Sequence, residues 1–502
     1  MFVRSFNLRL FSFAATVLFF EAPLFAQGVD APPQYAPPQY APPSADTRPT
    51  APPPAPGSGT TSGQYFQAPS LAPPPLESEP PFNAPPPLQP GPMLDPSGPP
   101  QPGPPFGPPP LYPTPRAYVP PVYVPPSGPL LIPFESPSES RIWIRSEYLA
   151  WWTKDAPLPA PLVTVGSAGD SIPGALGQPG TQVLYGGGNA DMGVANGWRL
   201  DMGVWLDHEQ RFGLQGGFFI LERQSSGFGA FSDENGYPVL ARPVINANGG
   251  GETAYVDSLP GSLAGGVIVT NTSQFLGYDL NGLFKIFQTE HFRLDGILGF
   301  RYLNLTESLE LDDQLSPLTS GALTFLGQPV DTSSTMVDFD RFETTNNFYG
   351  GQLGTRMEWT WGRWSLDMTT KLALGTTQEK ANINGGTTVF PASGPGTSAP
   401  GGILTSTANI GEYYQSPFAF VPELDLNVAY AITPHLSVRL GYSFIYWSNV
   451  LRPGDQVNRL VSPNLIPSDP TYGQAGSNQP QYQFNTTNYW AQGLNLGLDF
   501  HF

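Results

Sequence analysis

The chain has 502 residues, of which 12% are charged and 13% aromatic, with a formal net charge of −18 and a sequence pI near 4.5. A soluble domain usually carries about 25% charged residues, so this composition is unusual for one, and the acidic balance argues against nucleic acid as a partner. The sequence contains no cysteine, which excludes disulfides and thiolate sites.

The N-terminal segment has the features of an export signal. Arg4 and Arg9 precede the apolar stretch LFSFAATVLFF, and Ala26 offers a small residue for cleavage. We therefore predict a signal peptide over residues 1–26. After it, the sequence has no run of 18 or more apolar residues, so no transmembrane helix is predicted.

Residues 27–139 are rich in proline, with stretches such as APPQYAPPQYAPPS and PPPLQPGPM. Proline removes backbone donors, and apolar periodicity is absent, so this segment cannot bury a core. We predict a disordered, extended linker. An alternative is that its repeated APPQY unit binds a component of the cell envelope.

From residue 140 onward, apolar and polar residues alternate with a period of two, which predicts β-strands. In the last strand the even positions from Trp490 to Phe502 are mostly apolar, and the odd positions are small, polar or charged. Ten such strands are predicted, over residues 142–152, 198–207, 212–222, 275–288, 292–306, 348–361, 364–376, 418–432, 436–447 and 488–502.

The connections between these strands alternate in length, with four tight turns on one side and five long loops on the other, as in outer-membrane barrels. Each strand supplies the roughly 9 to 11 residues that cross a bilayer at a tilt, and closure satisfies every edge hydrogen bond. The sequence therefore predicts an all-β fold, a closed antiparallel transmembrane β-barrel of about ten strands over residues 140–502. Leu263–Thr270 and Thr324–Val330 can add a hairpin and give twelve.

Aromatic residues are concentrated near both ends of the predicted strands. Near the tight turns they are Trp359, Trp361, Trp364, Tyr430, Phe500 and Phe502. Near the long loops they are Trp151, Trp152, Tyr302, Tyr349, Tyr446 and Trp490. Two such girdles are typical of the two interfaces of a membrane barrel.

Several longer motifs occur in one order, including SEYLAWW, WRLDMGVWLD, NNFYGGQLG, SPFAFVPELDLNVAY, GYSFIYWSNVLRPGDQV and NYWAQGLNLGL. With these motifs the chain resembles the β-barrel porin family of planctomycete-type outer-membrane proteins, over about residues 146–502. The resemblance implies a barrel in the cell outer membrane, in contact with its lipid, and it brings no catalytic or binding residues. The aromatic end of the last strand also resembles the signal that barrel-insertion machinery reads.

Charged residues of both signs fall on the predicted inward face of most strands. They are Arg199, Asp201, Asp207, Asp279, Lys285, Arg293, Asp295, Arg301, Arg356, Glu358, Asp367, Lys371, Glu423, Asp425, Arg439 and Asp499. Side chains can largely fill a barrel of about ten strands. One interpretation is a structural plug of ion pairs, and the other is a narrow selective pore lined by the same groups.

No catalytic, cofactor or metal residues are predicted. His208, His291, His435 and His501 all fall near the tight turns, where they cannot serve as bases for a serine in the opposite loops. The acidic pieces 310–313 and 338–343 are predicted as solvated loops. Calcium binding by their oxygens is the alternative, although they lack the spacing and glycine of an EF-hand loop.

We therefore predict an outer-membrane β-barrel with a structural or porin-like role, passing small solutes and performing no chemistry. The alternative is a surface-interaction protein, whose five long loops bind a partner or ligand while the barrel serves as an anchor.

Overall fold

The computed structural model describes residues 140–502, and the predicted signal peptide and proline-rich linker lie outside the described residues. Two short 3₁₀ helices occur in this part, Pro453–Gln456 and Pro463–Leu465, and no helix of the described residues is long and apolar enough to cross a membrane. The strands are β1 (Ile142–Thr153), β2 (Ala156–Gly166), β3 (Gln182–Ala190), β4 (Val194–Trp205), β5 (Phe212–Leu221), β6 (Gln224–Phe231), β7 (Val239–Asn246), β8 (Glu252–Ser258), β9 (Leu263–Gln288), β10 (Phe292–Pro317), β11 (Thr324–Phe325), β12 (Gln328–Pro329), β13 (Thr335–Trp361), β14 (Trp364–Phe390), β15 (Thr397–Pro400), β16 (Gly411–Gln415), β17 (Phe418–Thr433), β18 (Leu436–Leu451), β19 (Leu460–Val461) and β20 (Thr486–His501).

Ten of these strands form a closed ring, in the order β1, β4, β5, β9, β10, β13, β14, β17, β18 and β20. Every neighbouring pair is antiparallel, and β20 returns to β1, with Trp143 opposite His501 and Thr153 opposite Ala491. The predicted ten-stranded barrel is confirmed. Leu263–Thr270 is the outer part of β9, and Thr324–Val330 contains only the small β11–β12 hairpin, so neither adds a strand to the ring.

Alternation along each strand separates an apolar outer surface from a mostly polar interior. In β20, Leu494, Leu496 and Leu498 point outward and are about half exposed, whereas Asn495 and Asp499 are buried inside the ring. Strands with this pattern leave no unpaired edge and turn their apolar side chains outward, which is the surface that membrane barrels present to lipid.

Aromatic side chains mark both ends of this apolar surface. Trp364 and Tyr430 are in contact at the turn end, with ring centroids 4.9 Å apart, and Trp152 and Tyr349 lie exposed at the other end. Trp151 was predicted to belong to the outer girdle, but its side chain points into the barrel and is fully buried. Trp151 and Trp152 are adjacent, and neighbouring residues in a strand point to opposite faces.

Four ring strands continue well beyond the length that a bilayer requires. β9, β10, β13 and β14 have 26 or 27 residues each, compared with about 9 to 11 for a tilted membrane strand. Their outer parts pair with one another as a tall sheet above the apolar surface.

This extension corrects the prediction that residues 310–313 and 338–343 are solvated loops. Both segments lie in strands, and Asp313 pairs in register with Asp338. Their side chains alternate, so Asp313, Asp338 and Asp340 are buried inside while Glu310 and Arg341 lie outside. Asp313, Asp338 and Asp340 interrupt an inward face that otherwise carries Leu309, Leu311 and Phe342, so the hydrophobic alternation is broken in these segments.

The long connections fold into a cap over the outer end of the barrel. Strands β2, β3, β7, β8 and β19, contributed by three of these connections, form a second sheet. Leu158, Val244 and Val461 of the cap share one buried apolar cluster with Leu309 and Phe342, which point inward from β10 and β13. The cap therefore closes over the interior of the extended strands.

Candidate functional site

The interior of the barrel is the first candidate site. The two interpretations of its charged residues, a selective pore and a structural plug, differ in whether side chains fill this interior. At the turn end it contains a small apolar layer of Trp143, Trp205, Leu283 and Ile297. Charged groups follow at mid-height, and a larger apolar layer lies at the outer end.

The charged layer is a set of ion pairs between facing strands. Arg199 Nη1 lies 3.0 Å from Asp425 Oδ1, and Lys371 Nζ lies 3.0 Å from Asp279 Oδ2 and 3.4 Å from Glu423 Oε1. Glu423 also pairs with Arg301. The layer thus joins strands that are not neighbours in the ring.

A second group of pairs lies closer to the turns. Arg439 Nη2 is 3.2 Å from Asp367 Oδ2 and 2.9 Å from Asp499 Oδ2, and Asp499 is shared with Arg145 at 3.3 Å. Buried charges are tolerated when they are paired in this way.

The structure brings together nine of the predicted inward residues in these pairs: Arg199, Asp279, Arg301, Asp367, Lys371, Glu423, Asp425, Arg439 and Asp499. Four others form local pairs towards the turn end, Arg293 with Asp295 at 2.8 Å and Arg356 with Glu358 at 3.7 Å. Asp201 lines the central cavity.

Two predicted inward residues lie instead at the tight turns. Lys285 Nζ donates to Gln288 Oε1 at the turn end, next to a β-bulge in the β9–β10 pairing. Asp207 accepts hydrogen bonds from the backbone N–H groups of Arg211 and Phe212. Its carboxylate therefore caps the turn between β4 and β5 rather than joining the interior.

Arg145 and Glu147 of β1 were missed by the sequence reasoning, although both side chains are buried in the charged layer. The two residues are two positions apart in RIWIRSEYL, and this spacing indicates that they share one face of β1. The signal was obscured because Trp143 and Leu149, on the same face, are apolar.

The space left between the charged groups is small. The central cavity has a volume of about 40 Å³ and is lined by Arg145, Arg199, Arg301, Lys371, Glu423 and Asp425 among others. A water molecule needs roughly 10–15 Å³ of such volume, so this cavity has room for about three waters.

Above the charged layer, an aromatic layer fills the barrel. Phe275 lies at its centre, with ring centroids 5.1 Å from Phe219 and 5.2 Å from Tyr489. Trp151 and Trp447 complete it, and their indole N–H groups donate to Asn495 Oδ1 at 2.7 Å and Thr377 Oγ1 at 2.9 Å. These side chains are at most 4% exposed. Each buried aromatic group stabilises such a layer by about 1.5–3 kcal/mol, so the layer is packed like a protein core.

The cap is attached to the interior of the extended strands by buried arginines. Arg452, in the last long connection, pairs with Glu307 of β10 and also donates to the carbonyl oxygens of Lys154 and Asp155 at 3.3 Å. Arg452 is fully buried. It therefore links two long connections to the barrel.

Arg242 of β7 makes a similar link to a group of aspartates. Its guanidinium donates to Asp313 Oδ2 at 2.6 Å and to Asp340 Oδ2 at 3.3 Å. Asp340 also accepts the backbone N–H groups of Leu404 and Thr405, at 3.0 and 2.9 Å. One carboxylate thus holds two long connections in place.

Four buried carboxylates surround this one arginine, which we call the Arg242 cluster: Asp257, Asp313, Asp338 and Asp340. Burial acts to lower the pKa of Arg242, but the four carboxylates raise it above its ordinary value. Burial raises the pKa of Asp313 to about 6 against the opposing effect of Arg242. Burial and neighbouring carboxylates also raise the pKa of Asp257 and of Asp338.

No three His, Asp or Glu side chains among residues 140–502 lie close enough to hold a metal ion. Asp257 is 1% exposed, and neither of its carboxylate oxygens has a hydrogen-bond partner among residues 140–502. The raised pKa values of Asp257 and Asp338 mean that burial favours the protonated form of these carboxyl groups.

We expect the replacement Asp257→Asn to stabilise the cap at pH 8 by about 1–3 kcal/mol, because it removes a buried charge without a partner. The folded pKa of Asp257 is raised, so its protonated form stabilises the cap at low pH and this contribution is lost as the pH rises. Hydrogen exchange of β7 and β8 amides at pH 5 and pH 8 measures the effect. The variant should exchange more slowly at pH 8 and show a weaker pH dependence, and unchanged exchange would contradict the prediction.

The four histidines lie at the turn end, as the sequence suggested. His208, His291 and His435 are exposed, and His435 Nδ1 lies 2.9 Å from the carbonyl oxygen of His501. His501 Nε2 is 3.3 Å from Asp499 Oδ1. None of them is near the cap.

Comparison with known proteins gives one family. A family model described as "Putative beta barrel porin-7 (BBP7)" matches residues 143–502, and no curated protein matches the chain. Among solved structures, the outer membrane protease OmpT of Escherichia coli is 8% identical, with 72% of this chain and 97% of that chain covered and a TM-score of 0.34. The transport unit of the autotransporter AIDA-I of Escherichia coli is 9% identical, with 72% and 90% covered and a TM-score of 0.21. A FadL homologue of Pseudomonas aeruginosa is 9% identical, with 73% and 93% covered and a TM-score of 0.20. Matches at these levels carry no argument about function.

Proposed function

The chain belongs to the beta barrel porin-7 (BBP7) family, and we propose that it is a closed barrel in the cell outer membrane whose folded cap binds a partner or ligand at the cell surface. The barrel is the anchor, and the cap is the functional part. This is the surface-interaction alternative that the sequence left open beside a solute-passing porin.

The observation that supports this proposal is the filled interior. A solute on the barrel axis would have to displace the aromatic layer around Phe275, the ion pairs around Glu423 and the apolar layer at the turn end. Water-filled channels are typical of barrels with 16 to 18 strands, whereas side chains can fill a smaller barrel.

The construction of the cap also supports the proposal. Two of the long connections are held by buried ion pairs, through Arg242 and Arg452, and four of the five share an apolar cluster with the extended strands. A porin needs only loops that keep the mouth open, whereas a folded cap presents a fixed surface. Loops on a rigid scaffold are a common place for binding residues.

We propose that the chain performs no chemistry and needs no cofactor. The histidines lie at the end away from the cap, so a histidine base cannot act on a ligand bound there. Its proposed partners are membrane lipid, the barrel-insertion machinery through β20, and envelope components through the proline-rich linker.

Planar-bilayer recording of the refolded full-length protein tests the closed barrel. We expect no steady ion conductance, because the aromatic layer leaves no continuous aqueous path. Protease treatment from the cap side, followed by mass spectrometry, confirms that the protein has inserted. Steady single-channel currents from inserted protein would overturn the proposal in favour of a pore.

A further inference from the structure

The outer surface of β9, β10 and β13 changes character at a row of three tyrosines. Tyr278, Tyr302 and Tyr349 are neighbours in register, and the ring centroid of Tyr302 lies 4.5 Å from that of Tyr278 and 5.1 Å from that of Tyr349. On β10 the outward residue towards the turns is Phe300, and the next one above is Asn304. Tyrosine is enriched at membrane–water interfaces, so this row marks the outer interface.

A groove of about 190 Å³ opens on this surface above the tyrosine row. Thr306, in its wall, is four residues beyond Tyr302, which corresponds to about 13 Å along the strand and roughly 9 Å above the row at a tilt of about 45°. Lipid headgroups, rather than acyl chains, lie at this height. The apolar outer surface, with exposed residues such as Leu298 and Phe300, lies below the tyrosine row, which is where acyl chains would lie.

The groove has polar groups of several kinds along its length. Its wall carries hydroxyl groups from Thr306, Ser308 and Thr345. Asn382 Nδ2 donates to Glu343 Oε2 at 2.8 Å, which fixes an amide and a carboxylate beside these hydroxyls. Donors and acceptors that lie this close together match the vicinal hydroxyl groups of a sugar.

Two cations also line the groove. Arg223 Nη2 donates to Thr272 Oγ1 at 3.0 Å, and Lys380 Nζ lies 2.6 Å from Glu412 Oε1. Lys380 also lies over the ring of Tyr414, with Nζ 5.6 Å from the centroid. Both side chains have further N–H groups that can bind anionic substituents of a sugar.

We propose that this headgroup groove binds the saccharide headgroup of a glycolipid in the outer leaflet, with the acyl chains of that lipid on the apolar surface below. A phospholipid headgroup offers a single phosphate and few hydroxyls, so it would leave most of these polar groups without a ligand. The proposal rests on the barrel's location in the membrane, and it is independent of whether the interior is closed.

Native mass spectrometry of the full-length protein from nanodiscs tests this. One set of nanodiscs contains a phosphorylated glucosamine-disaccharide lipid, and the other contains phosphatidylglycerol alone. We expect wild-type protein to retain one glycolipid, and the double variant Arg223→Gln/Lys380→Gln to bind it at least tenfold more weakly. Arg341→Gln is the matched control, because Arg341 lies on the same face of β13 but beyond the groove, paired with Glu310. It should bind within twofold of wild type.

Three results would overturn the proposal: equal retention of phosphatidylglycerol, an equal loss in the Arg341→Gln control, or equally tight binding of the deacylated disaccharide, which would place the ligand in solution. All variants change side chains on the outer surface, so an unchanged urea midpoint verifies folding. Planar-bilayer conductance of the same variants separates this test from that of the closed barrel, because the groove lies outside the ring.

Discussion

Replacing Glu423 by alanine is expected to lower the free energy of unfolding by about 3–5 kcal/mol, the usual cost of removing one partner from a buried ion pair. The side chain of Glu423 is 3% exposed and contacts both Arg301 and Lys371. Lys371 keeps Asp279 at 3.0 Å, but Arg301 is left without a carboxylate partner. The measurement is the urea midpoint of the protein refolded in lipid vesicles, followed by tryptophan fluorescence.

A matched control is Glu358→Ala near the turn end. Glu358 is also paired with an arginine, but at 3.7 Å and with 31% of its side chain exposed, so we expect a change of at most about 1 kcal/mol. The double variant Glu423→Ala/Arg301→Met should recover part of the loss, since it removes the orphaned charge. Equal losses for Glu423→Ala and Glu358→Ala would show that the charged layer is hydrated, as a pore would be.

The sequence predicted the ring well because lipid imposes a simple rule on it. In each membrane strand the outward side chains must be apolar and the inward polar groups must have partners. Apolar and polar residues therefore alternate along every strand. The tight turns, such as Gly362 and Arg363 between β13 and β14, placed the strand ends closely. The same parity predicted the nine charged residues that form ion pairs across the interior.

The outer half of the molecule was not predictable in this way. In β13, Asp338 and Asp340 interrupt the inward face between Met336 and Phe342, and the outward residues Arg341 and Glu343 are polar, so the pattern differs from that of a membrane strand. The carboxylate of Asp340 is paired with Arg242, almost 100 residues earlier in the chain. An ion pair between residues so far apart in the chain produces no local sequence pattern from which it could be predicted.

The interior layers were also ambiguous from sequence alone. From sequence alone, an aromatic residue such as Phe275 can be assigned either to the interior or to an aromatic girdle on the outer surface. The structure settles its position, because Phe219, Tyr489 and Trp447 surround it from other strands. Whether a lumen is filled depends on contacts across the barrel, and strand parity does not encode them.

The cap should depend on Arg242 more than on any other side chain of its second sheet. We expect Arg242→Met to raise the opening constant of the cap by about 10²–10³-fold at pH 8, corresponding to about 3–5 kcal/mol, because four buried carboxylates then share no cation. Hydrogen exchange of β7, of β8 and of residues 401–406 measures this, while the exchange of β18 and β20 should stay unchanged. Arg459→Met is the control, because the side chain of its partner Glu252 is 35% exposed and such a pair contributes at most about 1 kcal/mol.

The effect of Arg242→Met should shrink on acidification, and the sign follows from the raised pKa values. Burial favours the protonated carboxyl groups, so they stabilise the cap at low pH. This stabilisation is lost as the pH rises through their pKa in the folded state, which is about 6 for Asp313. Arg242 acts to lower that pKa, so its removal shifts the loss to higher pH. At pH 5 the variant should therefore approach wild-type exchange. A defect of equal size at pH 5 and pH 8 would mean that Arg242 acts through packing rather than charge.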